Sequence, residues 1–151
     1  MKILLVSQYF YPENFKINDL IFSLKKRGHD ITVLTGKPNY SKTTFFEGYG
    51  WESGDFETIH DIPVYRANLF ARRKGGPVRL FLNYISFAAF ATLKVRKIKG
   101  SFDLIFVYQT SPVTVGIPAI FAKKIFKAPI YFWVQDLWPE SLKAAGGIKN
   151  K

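Results

Sequence analysis

Apolar residues follow two alternating patterns along the first part of the chain. Ile3–Val6 is an unbroken apolar run, which is typical of a strand buried on both faces. Residues 15–24 then repeat apolar side chains at helical spacing, and Lys25–Gly28 supplies the cations and the glycine that favour a helix end. A second apolar run covers Ile31–Leu34. This strand–helix–strand order predicts a parallel sheet with a right-handed crossover.

The same patterns continue to the end of the chain. They predict a short strand at Pro63–Arg66, a helix over Val78–Lys97, a strand at Phe102–Tyr108, a helix from Thr110–Pro112 through Phe126, and a strand at Pro129–Val134. Asn39–Glu57 has no steady period and is expected to be a long loop, with Asn14 as a possible cap of the first helix. The element order predicts a single α/β domain over residues 1–151, a parallel sheet flanked by helices.

The candidate site lies where the strands end. In open parallel sheets ligands bind beyond the carboxyl ends of the strands. That rule selects four segments, which are Ser7–Phe15, Gly36–Tyr40, Tyr108–Pro112 and Gln135–Ser141. They contain most of the polar and aromatic combinations that a buried core would not need.

Asp136 directly follows the last predicted strand and is the leading candidate for chemistry. A carboxylate there can accept a proton or fix a ligand hydroxyl, and it can also serve as a helix N-cap before Pro139. Glu140 falls in the first turn of the next predicted helix, where a negative charge favours the helix dipole whether or not it binds a ligand. Ser111 is open to the same two interpretations, a helix cap or a ligand contact.

Composition removes several classes of site. The chain has no cysteine, which excludes disulfides, thiolate zinc sites and a cysteine nucleophile. It also has no dinucleotide-binding glycine motif, no P-loop and no hydrolase nucleophile elbow. His29 and His60 have no partners at metal-ligand spacing, so we expect no metal site. The 22 Lys and Arg against 11 Asp and Glu give a net charge of +11, which points to phosphate ligands, an anionic membrane or nucleic acid.

The predicted helix over Val78–Lys97 is unusually apolar and has cations at both ends. Its stretch Leu80–Leu93 is shorter than the roughly 20 residues that span a bilayer, and Asn83 interrupts it. Arg72, Arg73, Lys74 and Arg79 precede or open the helix. Either the helix only packs on the core, or it also lies at an anionic membrane surface.

Five blocks of the sequence, taken together, resemble the N-terminal domain of GT-B glycosyltransferases of family 4. They are Gln8–Asn14 (QYFYPEN), Arg27–Gly36 (RGHDITVLTG), Pro38–Tyr40 (PNY), Tyr108–Pro112 (YQTSP) and Trp133–Ser141 (WVQDLWPES). The nearest branch comprises bacterial surface-polysaccharide enzymes that transfer amino sugars such as N-acetylfucosamine. The order and spacing of the blocks match over nearly all of the chain.

The resemblance implies a Rossmann-like domain and a retaining sugar transfer without a metal or other cofactor. The donor would be a nucleotide sugar, and the acceptor a sugar linked to a lipid diphosphate, in lipopolysaccharide, O-antigen or capsule synthesis. The N-terminal domain would hold the acceptor at the cytoplasmic, inner face of the plasma membrane. A loop of Pro12, Glu13, Asn14, Phe15 and Lys16 would face the donor, and Asn39, Tyr40, Gln109, Ser111, Asp136 and Glu140 would line the cleft.

The chain departs from the family in two respects. Asn14-Phe15 stands where many members have a Gly-Gly pair, and Lys16 can equally be an ordinary surface lysine. The donor-binding domain of the family is absent, so we expect the isolated chain to be inactive. Three interpretations therefore remain: the acceptor half of a transferase, a non-catalytic partner that recruits a donor-binding subunit, and a basic nucleic-acid-binding domain, although no recognised nucleic-acid motif is present.

Overall fold

The computed structural model describes residues 1–40, 44–72, 76–110 and 112–137. The strands are β1 (Lys2–Ser7), β2 (Asp30–Gly36), β3 (Phe56–Ile59), β4 (Ile62–Ala67), β5 (Leu104–Gln109) and β6 (Ile130–Val134), and the helices are α1 (Lys16–Lys26), α2 (Pro77–Val95) and α3 (Gly116–Phe126). One sheet contains all six strands in the order β3-β4-β2-β1-β5-β6. Only the pairing of β3 with β4 is antiparallel among these strands.

Strand β1 lies at the centre of the sheet because its apolar run has no face to expose. Its residues after Lys2 are all buried, and it pairs in parallel with β2 on one side and β5 on the other. The chain therefore adds strands first to one side of β1 and later to the opposite side. That reversal is a topological switch point, and it opens a crevice at the carboxyl edge of the sheet.

Two apolar layers enclose the sheet. Leu4 and Val6 point to the side covered by α2 and α3, whereas Leu5 packs with Ile17 and Ile21 of α1. This alternation follows from the two-residue period of a strand. Each such buried aliphatic side chain stabilises the fold by about 1.5–3 kcal/mol relative to exposure. The prediction of an α/β domain with a parallel sheet flanked by helices is confirmed.

Several predicted boundaries were wrong. The loop expected to reach Glu57 ends earlier, because β3 begins at Phe56 and joins β4 through a turn in which His60 and Asp61 have φ of 48° and 60°. The helix α1 begins at Lys16 with Phe15 in the N-cap position and no side-chain cap, so Asn14 is not its cap. The second helix ends at Val95 rather than Lys97.

Helix α2 needs a second correction. It is 19 residues long, and by length and composition it is apolar enough to cross a membrane, which no other helix in the described ranges is. The helix is thus longer than the uncharged stretch Leu80–Leu93, because it also includes Arg79 and Lys94. Phe87 and Ala91 nevertheless lie in the core, and α2 contacts β2 and β4, which is how a core helix packs. Its two most exposed apolar side chains, Val78 and Phe81, lie in its first half, whereas Leu93, which is 59% exposed, lies near its end.

A candidate ligand site at the carboxyl edge of the sheet

Glu13 joins the loop after β1 to the loop after β2. Its Oε1 accepts hydrogen bonds from the backbone N–H groups of Asn39 (2.8 Å) and Tyr40 (2.6 Å), and only 3% of the residue is exposed. Burial raises the pKa of the Glu13 carboxyl, and the two backbone hydrogen bonds oppose this rise. Its Oε2 is buried and has no partner within the described ranges. Glu13 therefore fixes the two loops relative to each other. Its buried carboxylate does not face solvent, where a nucleotide-sugar donor would approach.

The close approach of these loops requires a glycine at the end of β2. Gly36 donates its backbone N–H to the carbonyl of Gln8 (3.1 Å), which also accepts a hydrogen bond from the Thr35 hydroxyl (3.3 Å). A Cβ on Gly36 would lie 2.9 Å from that carbonyl oxygen and 2.7 Å from Leu69 Cδ2. Any side chain at this position would therefore push the first loop away from β2.

A buried chain of amides connects helix α2 to three loops. Gln8 Nε2 donates to Asn83 Oδ1 (2.8 Å), and Asn83 Nδ2 donates to Asn39 Oδ1 (3.0 Å) and to the carbonyl of Phe70 (2.7 Å). Asn39 Nδ2 in turn donates to the carbonyl of Lys37 (3.0 Å). Buried amides that are satisfied in this way hold a unique geometry, since breaking one bond leaves others unpaired. The loops that follow β1, β2 and β4 are consequently held as one unit.

Aromatic rings pack above this unit. Tyr9 and Phe15 are stacked at 4.8 Å between centroids, and Tyr40 meets both rings edge-on at 5.2 Å and 4.9 Å. Tyr9 is buried, whereas 41% of Tyr40 is exposed. The rings thus form a rigid apolar surface that opens to solvent at Tyr40.

Arg72 lies against the same rings, in a group that we call the Arg72 cage: Arg72, Tyr9, Tyr40 and Tyr84. Its guanidinium carbon lies 5.4 Å, 4.9 Å and 5.4 Å from the ring centroids of Tyr9, Tyr40 and Tyr84. Its Nη2 donates to the hydroxyls of Tyr9 and Tyr84, the latter at 3.1 Å. Arg72 was expected on the surface, but the structure places it half-buried at the carboxyl edge.

Two other cations at this edge have structural partners. Arg66 is 1% exposed, its Nε pairs with Glu57 Oε1 at 2.6 Å, and its other nitrogens donate to the carbonyls of Gly36 (3.1 Å) and Tyr11. Lys37 donates to carbonyls in the loop at residues 50–53. Burial, followed by the nearby charge of Lys94, lowers the pKa of Lys37. Both side chains hold loops in place.

Asp136 and Gln109 form a separate group on the other side of β1. Gln109 Nε2 donates to the backbone carbonyl of Asp136 (3.0 Å), and the N–H of Gln135 donates to the carbonyl of Gln109 (2.9 Å). Asp136 is half-buried, and its carboxylate makes no hydrogen bond to any residue that the structure describes.

An apolar pocket of about 380 Å³ adjoins the Arg72 cage. Trp51, Phe70, Ala71, Arg79 and Leu82 are among its lining residues. Trp51 contacts Phe70 and Phe90 at 5.3 Å and 5.4 Å between ring centroids. Because Phe70 and Ala71 directly precede Arg72, one short segment borders both the pocket and the cage.

The predicted site residues thus fall into several groups. Glu13, Phe15, Asn39, Tyr40 and Arg72 come together around the loops after β1 and β2, and Gln109 and Asp136 lie together beyond β5 and β6. Pro12 is half-buried, Asn14 and Lys16 are exposed at the start of α1, and Arg79 is exposed on α2. Ser111, Glu140, Arg73 and Lys74 lie outside the described residues.

Sequence reasoning missed several residues of this edge. Asn83 gave a usable signal, since it is a polar residue inside an apolar helix, and such a residue needs a buried partner. Tyr84 and Arg66 gave none, because an aromatic residue on a helix and an arginine in a strand are common on ordinary surfaces. In the described ranges no three His, Asp or Glu side chains are grouped as metal ligands.

Comparison with known proteins supports the fold. No family model matches the chain, and no curated protein matches its sequence. A solved structure described as trehalose-6-phosphate from E. coli bound with UDP-2-fluoro glucose is similar with a TM-score of 0.55 and 13% sequence identity, over 89% of this chain and 33% of that one. The present chain thus spans about a third of that protein, a glycosyltransferase of the GT-B type. The chain has the fold of a GT-B Rossmann-like domain.

Proposed function

We propose that this chain is the acceptor-binding, membrane-associating half of a retaining glycosyltransferase. The enzyme would move a sugar from a nucleotide sugar to a lipid-linked acceptor in lipopolysaccharide, O-antigen or capsule synthesis. The observation that carries the proposal is the organised carboxyl edge of a GT-B-type sheet, where Glu13 fastens the loops after β1 and β2 beneath the partly exposed ring of Tyr40. The resemblance to family 4 supplies the reaction class.

The edge has the properties of a sugar subsite. A sugar ring offers an apolar face and several hydroxyls, so it needs an aromatic surface with polar groups at fixed positions. Tyr40 and Phe15 supply the surface, and the amides of Asn39 and Asn83 hold the surrounding loops. Such a preorganised site loses little side-chain freedom when a ligand binds.

Asp136 is the residue to which we assign chemistry. Its carboxylate is half-buried and unpaired among the described residues, and it follows β6 at the edge where a second domain would close the cleft. There it would fix or deprotonate an acceptor hydroxyl. The donor diphosphate would lie opposite the start of α1, where free N–H groups and the exposed Lys16 favour negative charge.

Membrane association would use the first half of α2. Val78 and Phe81 are exposed there, with Arg79 between them. A basic residue at an anionic bilayer contributes about 1 kcal/mol, and apolar side chains add their transfer free energy. The surface would hold the cleft close to a lipid-linked acceptor.

The test is a calorimetric titration that measures the direct binding of an acceptor analogue to the chain. The probe is a short-chain isoprenyl diphosphate linked to N-acetylglucosamine. We expect saturable binding, weakened in Asp136→Asn and unchanged in Asp61→Asn. The second variant is a matched control, because Asp61 is an exposed carboxylate in the β3–β4 turn at the amino end of β4. No transfer from a nucleotide sugar is expected without a donor-binding half.

Absence of binding would contradict the acceptor role. If the chain still bound anionic vesicles, that result would favour the second interpretation, in which the chain is a non-catalytic partner that recruits a donor-binding subunit. Salt-dependent binding to arbitrary DNA but not to anionic vesicles would favour the nucleic-acid alternative instead.

A further inference from the structure

Arg72 is a cation without a counterion in the part of the chain that the structure describes. Arg66, the other arginine at this edge, pairs with Glu57, whereas no described carboxylate lies within ion-pair distance of Arg72. Three aromatic faces surround its guanidinium instead. Such faces attract the cation but do not use its N–H groups.

The hydrogen-bond donors of Arg72 are only partly used. A guanidinium has five N–H groups, and here Nη2 donates to two tyrosine hydroxyls. Its Nε is buried with no acceptor, and Nη1 makes no hydrogen bond to a described residue. A buried donor without an acceptor is rare in native proteins and calls for a physical explanation.

The unused donors have a geometry that suits an oxyanion. Nη1 carries two N–H groups that no described residue accepts, and each can donate a charge-assisted hydrogen bond to an oxygen of a carboxylate or phosphate. The Nη2 bonds to Tyr9 and Tyr84 and the contacts with the rings fix the plane of that group. The direction of the unused Nη1 donors is therefore set before any ligand arrives.

The location of Arg72 also favours a ligand. Tyr9 follows β1, Tyr40 follows β2 and Arg72 follows β4, so the cage lies where three parallel strands end. Ligands of open α/β sheets bind at this edge. The exposed part of Tyr40 leaves the cage open on one side.

We infer that the Arg72 cage is an oxyanion-binding subsite, which takes a phosphate or carboxylate of the sugar substrate while the substrate ring rests on Tyr40. The inference rests on the proposed function for the identity of the substrate, but the anion site itself does not. A phosphate would come from the lipid diphosphate of the acceptor, and a carboxylate from an acidic sugar. The chemistry of recognition is the same in both cases.

The test is a titration followed by the side-chain Nε–H signals of arginine in a ¹H–¹⁵N spectrum of the intact chain. The probes are inorganic pyrophosphate, glucuronate and glucose. We expect a saturable shift of the Arg72 signal with one or both anions and none with glucose. The signal of Arg66 is the internal control, since each of its three guanidinium nitrogens already donates a hydrogen bond and Glu57 balances its charge, so it should stay in place.

The two anions distinguish the sources. A shift with pyrophosphate alone identifies a phosphate, and a shift with glucuronate alone identifies an acidic sugar. The inference is overturned if Arg72 does not shift with either anion, if Arg72 and Arg66 shift equally, or if glucose has the same effect. The wild-type titration decides these outcomes, even if a variant at Arg72 fails to fold.

Variants give the size of the effect. Arg72→Lys keeps the charge but loses the planar group that the tyrosines hold in place and the Nη1 donors it carries, so the affinity for the anion should fall about tenfold. Arg27→Lys is the matched control, since Arg27 is exposed at the C-cap of α1, and it should have no effect. If the lipid-linked analogue binds without moving the Arg72 signal, the inference fails and the proposed function survives. If pyrophosphate moves Arg72 and the analogue does not bind, the reverse holds.

Discussion

The two ends of the sheet's carboxyl edge are constructed differently. Around β1, β2 and β4, the loops are joined by the Glu13 carboxylate, the amide chain through Asn83 and the Arg72 cage. Around β5 and β6, two hydrogen bonds link Gln109 with residues 135 and 136, and the rings of Tyr108 and Trp133 meet at 5.4 Å between centroids. Strand β6 is also at the edge of the sheet.

The difference separates a preorganised half of the site from an open one. Buried polar groups in the first half have partners that hold them in one geometry, which is the arrangement that binding sites need. In the second half Leu137 is 70% exposed and Asp136 lacks a described partner, so a ligand or another protein surface can complete it. We expect substitutions of the buried polar partners in the first half to affect folding, and with it binding, whereas substitutions in the second half should affect binding alone.

The largest effect is expected from Asn83→Ala. The change leaves Gln8, Asn39 and the carbonyl of Phe70 without their partner, and the free energy of unfolding should fall by about 3 kcal/mol. Urea unfolding measures it. Asn14→Ala is the matched control, since Asn14 is exposed, and it should change stability by less than about 0.5 kcal/mol. Equal effects of the two variants would contradict a stabilising amide chain.

The second largest effect is expected in the pH dependence of the free energy of unfolding, which depends on the pKa of Glu13. Because burial raises its pKa above the ordinary value of 4.5, the folded state retains this proton at a pH where the unfolded state has lost it. The contribution of Glu13 to stability is therefore largest below pH 4.5 and is lost as the pH rises through the folded-state pKa.

Glu13→Gln removes that titration while it keeps an oxygen that can accept the two backbone hydrogen bonds. Between about pH 5 and pH 7 the variant should lose less stability than the wild type. Parallel urea unfolding curves at both pH values provide the measurement. The same pH dependence in both proteins would show that Glu13 does not titrate as burial requires.

A smaller effect on affinity is expected at the exposed face of α2. Phe81→Ser removes a side chain that is 62% exposed, so stability should hardly change, whereas binding to anionic vesicles should weaken roughly tenfold. Ile125→Ser, an exposed apolar site on α3, is the control and should leave binding unchanged. Equal losses in both variants would mean that no particular face of the protein meets the membrane.

The smallest change in stability is expected for Asp136→Asn. Its carboxylate has no described partner to lose, so the free energy of unfolding should change by less than about 0.5 kcal/mol. Acceptor binding should nevertheless weaken. A large loss of stability would indicate a structural carboxylate and would remove the distinction between the two halves.

The sequence predicted the central fold better than its edges. The apolar runs of β1 and β2 leave no alternative to burial on both faces, and the strand–helix–strand order then requires a parallel pair. Strand β3 was missed because its four residues are too few to establish a period, and its pairing depends on the turn at His60 and Asp61. Tertiary contacts decide such short elements.

The arrangement of the loops at the carboxyl edge was predicted in outline, but their contacts were not. The rule that ligands bind beyond strand ends selected the loop that contains Glu13 and the loop that contains Tyr40, and the structure shows that these two loops are in contact. It could not reveal that Glu13 would be buried between backbone amides. Arg72 was grouped with the cations that follow it, because a run of charges in a sequence suggests a solvated surface, and only packing shows that its guanidinium meets three tyrosines.

The most direct test of the central claim is a map of backbone amide shifts while the isoprenyl diphosphate analogue of N-acetylglucosamine is added to the chain. The account predicts saturable shifts concentrated at residues 8–15, 37–40 and 69–72, with further shifts near Asp136. The turn at Gly28 and His29, at the opposite edge of the sheet, should remain unchanged. Shifts confined to that opposite edge, or no saturable shift at all, would contradict a sugar-acceptor site at the carboxyl edge.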